Sequence, residues 1–449
     1  MNITIGKKIR QLREELKITQ SSLAEPEMTK SMISHIENGY AYPSMKNLQY
    51  IAKKLNKPVT YFLEDDAPLK DQYSSEDDLP MEIILNTLKS IDNLIEKEMF
   101  EQAKHALHSL LESYSFNKAS KLFADIIFRI GLCCIKLRKY DEGENYLENC
   151  SSIYIDNQMY LDAAKSYMNL SLKPLFLYNY TQSLSILDRA WELYDKSTSK
   201  DVFLEIKLLI NRPAIYFAMG EFNKAISICE KIISLSNDNK IYYMIDNAYR
   251  IMAIIFLLQD EYDSFIINAD KALKFSEFTN NKLGLIKLYH NYAKYHNIMN
   301  NPLESLKYLE LLQNTAGEKT FYYYLEHAKS NYILQNYDAS LKDLSAIDYT
   351  KKANYLTDDI YILSGKIYKG LIHGKLNNYD EAIFEIEDAI KEIEGFTKSE
   401  YAGVTKYAYK ELSFATEGLS EIYFMKQDYP TAYSLLKKSN QLKDLSRQF

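Results

Sequence analysis

Residues 131–143 read GLCCIKLRKYDEG, and residues 171–183 read SLKPLFLYNYTQS. Both begin with a small residue, carry a ring nine positions later and place a second small residue three positions after the ring. The same frame returns as AIIFLLQDEYDSF at 253–265, AKYHNIMNNPLES at 293–305, GLIHGKLNNYDEA at 370–382 and SEIYFMKQDYPTA at 420–432. Along the whole chain the ring-and-small pair is Phe100 and Ala103, Tyr140 and Gly143, Tyr180 and Ser183, Phe222 and Ala225, Tyr262 and Phe265, Pro302 and Ser305, Tyr337 and Ser340, Tyr379 and Ala382, and Tyr429 and Ala432. Pro302 replaces the aromatic ring once, and Phe265 the small residue once. The steps between rings are 40, 40, 42, 40, 40, 35, 42 and 50 residues, a near-constant period that marks a repeat array. The leading small residues, Gly131, Ser171, Ala253, Ala293, Gly370 and Ser420, let a second helix pack closely on the first. Each unit is therefore expected to be a helix pair that cannot bury its apolar face alone and must stack on its neighbours.

Composition agrees with an all-α chain. Only 13 Gly and 9 Pro occur in 449 residues, few breakers for a fold with many turns. Hydrophobic residues make up 47% and charged residues 26%, a globular balance. Lys7, Lys8, Arg10 and Arg13 interrupt the first apolar pattern, which excludes a signal-peptide core there. The most apolar run, Ile126 to Leu137, contains Arg129 and is too short to span a bilayer. No membrane contact is expected, and the location expected is the cytoplasm. Cys133, Cys134, Cys150 and Cys229 have neither metal nor redox spacing and fall where apolar helix residues belong, so they read as buried free thiols. His105 and His108 share a helix face with no third ligand. No metal, cofactor or catalytic motif is expected, and the protein is not read as an enzyme.

Residues 1–63 hold ten Lys or Arg and five Asp or Glu, so this head carries +5; the whole chain is at −7, which leaves −12 on residues 64–449. A basic head on an acidic body suits one nucleic-acid surface. Ile5, Ile9, Leu12 and Leu16 form one helical stripe. Thr19 is placed to cap a second helix starting at Gln20, and Thr29 a third that buries Ile33 and Ile36. Asn38-Gly39 ends the third helix. Leu48, Ile51, Ala52 and Leu55 make a fourth stripe, and Val59 to Leu63 close the bundle. Residues 64–80, EDDAPLKDQYSSEDDLP, contain seven acids and one lysine and read as an acidic linker.

The head resembles the helix-turn-helix domain of the phage-repressor (XRE) type over its full length. The matching residues are Ile9-Arg10-Gln11-Leu12-Arg13, Thr19-Gln20-Ser21-Ser22-Leu23-Ala24, Ile33-Ser34-His35-Ile36-Glu37-Asn38-Gly39 and Pro43-Ser44. Glu25-Pro26-Glu27-Met28 departs from that pattern: it lacks the usual Gly and is one residue shorter. With Gly39-Tyr40-Ala41-Tyr42-Pro43-Ser44-Met45, it is similar to the DNA-binding domain of PlcR-type regulators. The resemblance implies a third helix in the major groove, with Lys30, Ser31, Ser34 and His35 directed at base edges or phosphate. It places Gln20 on backbone phosphate, and Arg13, Asn38 and Lys46 are further phosphate candidates that would set register.

From residue 81 onward the repeats look like a tetratricopeptide array whose step of about 40 exceeds the usual 34 residues. The fold expected is all-α: a helix-turn-helix bundle over 1–63, the linker over 64–80, and a right-handed superhelical array of about nine pairs over 81–449 for ligand binding and dimerisation. Asn169, Asn211 and Asn291 each stand eleven residues before one of the repeat turns, at Tyr180, Phe222 and Pro302. In tetratricopeptide clamps an Asn so placed faces the groove and bonds a peptide backbone, which its paired donor and acceptor suit. Arg250, His290 and Lys294 lie beside that row and are candidates to meet a carboxylate. The whole organisation resembles the Rap–Rgg–NprR–PlcR–PrgX family of quorum-sensing receptors, NprR- or PlcR-like. That implies operator DNA and a short signalling peptide as partners, and a homodimer or higher even oligomer. Two alternatives stay open: an array that sequesters a protein such as a response regulator, and one that only dimerises.

Overall fold

The computed structural model describes residues 5–37, 43, 45–57, 61–62, 80–242, 244–317, 319–353 and 355–448, with Met45 and Lys46 described in backbone only. The acidic linker up to residue 79, Asn38-Gly39, Ser44, Val59 and Leu63 lie outside them. Among the described residues every regular element is a helix. The chain divides into two compact units, Met1–Arg212 with Ser234–Tyr243, and Pro213–Ile233 with Met244–Phe449. The division falls inside the fourth repeat.

The first unit opens with α1 (Ile5–Glu15), α2 (Gln20–Ala24), α3 (Lys30–Glu37) and α4 (Met45–Lys54). Their core is the expected set: Ile5, Ile9, Leu12, Leu23, Ala24, Ile33, Ile36, Leu48, Ile51, Ala52 and Leu55 are buried, with Phe62 closing it, whereas Leu16 is exposed. Thr19 Oγ1 accepts from the Ser22 amide at 3.1 Å, and Thr29 Oγ1 from the Met32 amide at 3.2 Å, so both expected caps form. One close approach was not foreseen. A Cβ at Gly6 would strike the Ile36 carbonyl, so only glycine lets α1 lie this close to α3.

Nine helix pairs follow among the described residues. They are α5 (Met81–Glu96) with α6 (Phe100–Ser113), α7 (Lys121–Lys136) with α8 (Tyr140–Asp156), and α9 (Tyr160–Leu170), continued by α10 (Leu172–Phe176), with α11 (Tyr180–Lys196). Next come α12 (Val202–Met219) and α13 (Phe222–Asp238), α14 (Ile245–Leu258) with α15 (Tyr262–Thr279), and α16 (Lys282–Ile298) with α17 (Pro302–Ala316). The last are α18 (Phe321–Ile333) with α19 (Tyr337–Ser345), α20 (Leu356–Lys375) with α21 (Tyr379–Glu394), and α22 (Ala402–Met425) with α23 (Tyr429–Gln448).

Every ring of the repeat frame is the first residue of a second helix. The small residues are the contacts between the two helices of a pair. Ala103, Ser183, Ala225, Ser305, Ser340 and Ala382 are fully buried. A Cβ at Gly131 would stand 2.8 Å from Leu147 Cγ, well inside van der Waals contact. Ser340 Oγ donates to the Ala328 carbonyl at 2.8 Å and Ser420 Oγ to that of Ala432 at 2.7 Å, so these serines also satisfy their own hydroxyls. Phe265, the exception, stacks on Tyr295 at 4.9 Å and meets Tyr292 edge-on at 5.9 Å. The four cysteines are buried and free. Burial pushes the Cys133 thiol up to about 11 and those of Cys150 and Cys229 up to about 12, so none is a reactive thiolate. Among the described residues no helix is long and apolar enough to cross a membrane.

Candidate functional site: the helix-turn-helix head and the inner face of the second unit

In the head, burial of Ile33 and Ile36 turns the opposite side of α3 outward. Lys30 and Ser31 are exposed there, and Ser34 and His35 are half-buried. The Thr29 cap fixes the turn that carries Lys30 and Ser31. Behind this helix Glu37 is only 4% exposed. Its carboxylate receives Arg13 Nε at 2.5 Å and Arg13 Nη2 at 2.9 Å, and Gln20 Nε2 at 2.8 Å. Arg13 Nη1 donates to the Ile18 carbonyl at 3.0 Å. The bond to Glu37 raises the Arg13 pKa further above its ordinary value. Arg13 thus ties α1 to α3, a structural role the sequence reading did not assign, and Gln20 is held in one orientation by the same carboxylate. Asn38 and the Lys46 side chain lie outside the described residues.

In the second unit the first helices of successive pairs pack on one another, α14 on α16, α16 on α18, α18 on α20 and α20 on α22. Side chains from helices further apart also meet. The His290 ring on α16 lies 4.8 Å from that of Tyr322 on α18, and its Nε2 is 3.2 Å from the Tyr361 hydroxyl on α20. Lys294 sits 4.5 Å over the Tyr361 ring and 5.9 Å from that of Tyr407 on α22. Contact across two or three helices requires this layer to curve inward, which makes it a concave face lined by tyrosines.

The carboxylates of this face are largely committed. Glu326 is fully buried. It accepts from Lys329 Nζ at 2.9 Å, from Asn297 Nδ2 at 2.8 Å and from the Tyr361 hydroxyl. Burial alone would push its carboxyl up; Lys329, His290, Tyr361 and Asn297 outweigh it and hold the pKa at about 2. Asp358 accepts from the Tyr322 hydroxyl at 2.7 Å, yet burial keeps its pKa up at about 6. Burial also raises Glu411, against the opposing fields of Lys329, Lys294 and Lys410. Asp246 is taken by Ser276 Oγ at 2.9 Å and Asn281 Nδ2 at 2.7 Å.

The cations of the same face are not matched. Among the described residues no carboxylate comes within 4.0 Å of Arg250, Lys287 or Lys294. Arg250 Nε and Nη2 reach only the amide oxygen of Asn247, at 3.2 and 2.6 Å. Burial lowers the pKa of Arg250 and pushes Lys294 down to about 8. Asn291, 4% exposed, has an amide nitrogen with no acceptor. Burial pushes His290 down to about 4, so it is a neutral ring near pH 7 and not the cation that the sequence reading made of it.

Four of the six sequence-derived ligand candidates, Arg250, His290, Asn291 and Lys294, therefore share this face. Asn169 and Asn211 belong to the first unit. Asn169 is buried and its Nδ2 donates to the Lys165 carbonyl of its own helix at 2.8 Å; Asn211 is half-buried. Tyr322, Glu326, Lys329, Asp358, Tyr361 and Tyr407 were not foreseen. Glu326 was findable, because it occupies the Asn position of its own repeat, eleven residues before Tyr337. Among the described residues no cluster of His, Cys, Asp and Glu is suited to hold a metal.

Comparison with known proteins defines the class of both parts. Residues 9–62 match the helix-turn-helix family model, and residues 124–157, 214–239 and 367–394 match the tetratricopeptide repeat model. The protein is a helix-turn-helix protein with tetratricopeptide repeats. Among solved structures it is similar to the apo form of RapI (13% identity, TM-score 0.54, covering 82% of this chain and 98% of that one). It is similar to a Rap protein complexed with competence and sporulation factor (13%, TM-score 0.53, 82% and 99%). Bacillus thuringiensis PlcR in complex with the peptide PapR7 and DNA also matches (15%, TM-score 0.38, 62% and 95%). The Rap likenesses, at this identity, are likenesses of fold. No curated protein matches the chain by sequence.

Proposed function

We propose that this protein is a cytoplasmic, peptide-responsive transcription regulator of the Rap–Rgg–NprR–PlcR–PrgX type. Its domains would run over 1–63 for DNA binding, 64–80 as linker and 81–449 for ligand binding and dimerisation. Lys30, Ser31, Ser34 and His35 on α3 read base edges, and Gln20, aimed by Glu37, meets a phosphate. The array supplies sensing, and no catalytic step is assigned to it. The observation that carries the reading is the convergence of side chains from four successive first helices on the inner face of the second unit. One of these helices, α16, carries Asn291, whose buried amide nitrogen has no acceptor. A buried unsatisfied donor is costly, and a peptide carbonyl would satisfy it. Peptide binding acts on DNA binding as a population shift between arrangements of two heads in a dimer.

Selection of the full-length protein against a random duplex library tests the DNA reading. Two related half-sites about 10 bp apart, or a multiple of that, are expected. Absence of any enriched sequence would refute it.

A further inference from the structure

On the inner face of the second unit three cations make no close ion pair among the described residues. Lys287, His290, Asn291 and Lys294 recur along α16 at the spacing of one helical face, with Arg250 on the preceding first helix, α14. Among the described residues no carboxylate comes within 4.0 Å of these positive charges, whereas the neighbouring acids make their close contacts elsewhere. Glu326 is locked to Lys329, Asp246 to Ser276 and Asn281, and Asp358 to Tyr322. A half-buried cation without a partner is a cost to folding, and Arg250 and Lys294, with the exposed Lys287 beside them, leave room for complementary charge brought from outside. We infer that the ligand of this face is an anionic short peptide, its carboxylates received by Arg250, Lys287 and Lys294 and its backbone by Asn291.

The geometry divides the labour. Arg250 offers a planar fork of which two donors share the single oxygen of Asn247. A carboxylate is a better acceptor and would draw the guanidinium away from that amide. Lys294, lying over the rings of Tyr361 and Tyr407, has a weak cation–π anchor that fixes its position without neutralising it. Lys287 is the most exposed of the three and would meet a charge nearer solvent. The tyrosine rings between them suit the apolar parts of a peptide more than a bare inorganic anion. This assignment rests on the peptide reading above, and its test separates the two.

The probes are three mixtures of short fluorescent peptides with identical random positions, differing at two fixed sites that hold Asp or Glu, Asn or Gln, or Lys or Arg. Each is titrated by anisotropy against the full-length protein, with inorganic phosphate and succinate as competitors. The acidic mixture should bind at least about tenfold more tightly than the neutral one, with the basic one weakest. Lys294→Met and Arg250→Gln should each remove about tenfold of that preference, and Lys294→Arg should keep it. Circular dichroism verifies that the variants fold, and Lys287→Gln gives a more exposed substitution should either fail to fold. Equal binding of all three mixtures, or preference for the basic one, overturns the anionic assignment and leaves the peptide groove standing. Binding of no mixture overturns both. Displacement by phosphate or succinate at the peptide's own concentration overturns it in favour of a small free anion.

Discussion

His290 Nε2 lies 3.2 Å from the Tyr361 hydroxyl, although 71 residues and one intervening helix pair separate them. Tyr361 in turn donates to Glu326 on the helix between, and burial and the Glu326 carboxylate together hold the phenol well above its ordinary pKa. One hydroxyl thereby fixes the curvature of three first helices. Tyr361→Phe should cost about 1–3 kcal/mol, the range for leaving a buried acceptor short of a donor. Chemical denaturation of the full chain would measure it. A variant as stable as the parent would show that curvature is set by the helix seams alone.

A second expectation concerns the head. Arg13 and Gln20 both end on Glu37, so a phosphate contact and a folding contact make different forecasts. Glu37→Ala leaves the Arg13 guanidinium without its partner and should destabilise the head by about 3–5 kcal/mol. Hydrogen exchange of amides in α1 and α3 should accelerate, and DNA binding should fall for all sequences together. Lys30→Ala should leave those amides protected and alter base preference. Unchanged exchange in Glu37→Ala would mean that the Arg13 tie carries no stability.

How far the sequence could be read depended on the kind of signal. The ring and small positions were legible because packing two helices closely admits few residue types, so the frame survives even where Pro302 or Phe265 breaks it. The 50-residue last step is absorbed by a 3-10 turn, Gly395–Lys398, and by the 24-residue α22. The inner face was half legible. Asn291, Arg250 and Lys294 stood out by offset, but Tyr361 and Tyr407 sit on helices of 20 and 24 residues whose extra turns shift the count. At His290 the sequence shows the residue and not the burial that pushes its pKa down to about 4. The Arg13–Glu37 tie spans 24 residues, beyond any local pattern.

A repeated backbone feature escaped the sequence reading altogether. Two residues before each of the nine rings the chain is left-handed, at Glu98, Arg138, Tyr178, Gly220, Asp260, Asn300, Gln335, Asn377 and Gln427, with φ between 56° and 82°. Only one of the nine is glycine, so residue type gave no sign. A side chain in this conformation costs about 1–2 kcal/mol, partly offset by the unfolded-state freedom that glycine adds. Gln335 is exposed, so Gln335→Gly should stabilise the protein by about 0.5–1 kcal/mol. A lowered apparent Tm would show that the Gln335 side chain makes a contact worth more than the strain.

Lys294 offers the sharpest separation of function from stability. Its pKa is held down at about 8 by burial first and then by Lys329, while Glu326 and Glu411 pull it up and Lys410 pushes it down. In the unfolded chain the same amine titrates near 10.5. Between about pH 8 and pH 10.5 the unfolded state therefore binds more protons than the folded one, and this residue makes stability rise with pH across that window. Near pH 7 the charged Lys294 works against folding. Lys294→Met should raise the apparent Tm of the unliganded protein by a few degrees, corresponding to about 1 kcal/mol, while weakening an acidic peptide about tenfold. A bound carboxylate would reverse the balance by favouring the charged amine, so peptide binding near pH 8.5 should take up protons. Calorimetry in two buffers of different ionisation enthalpy reads that uptake directly. If Lys294→Met lowers the Tm, or if binding takes up no proton in the parent, Lys294 is a packing residue and not a receptor for negative charge.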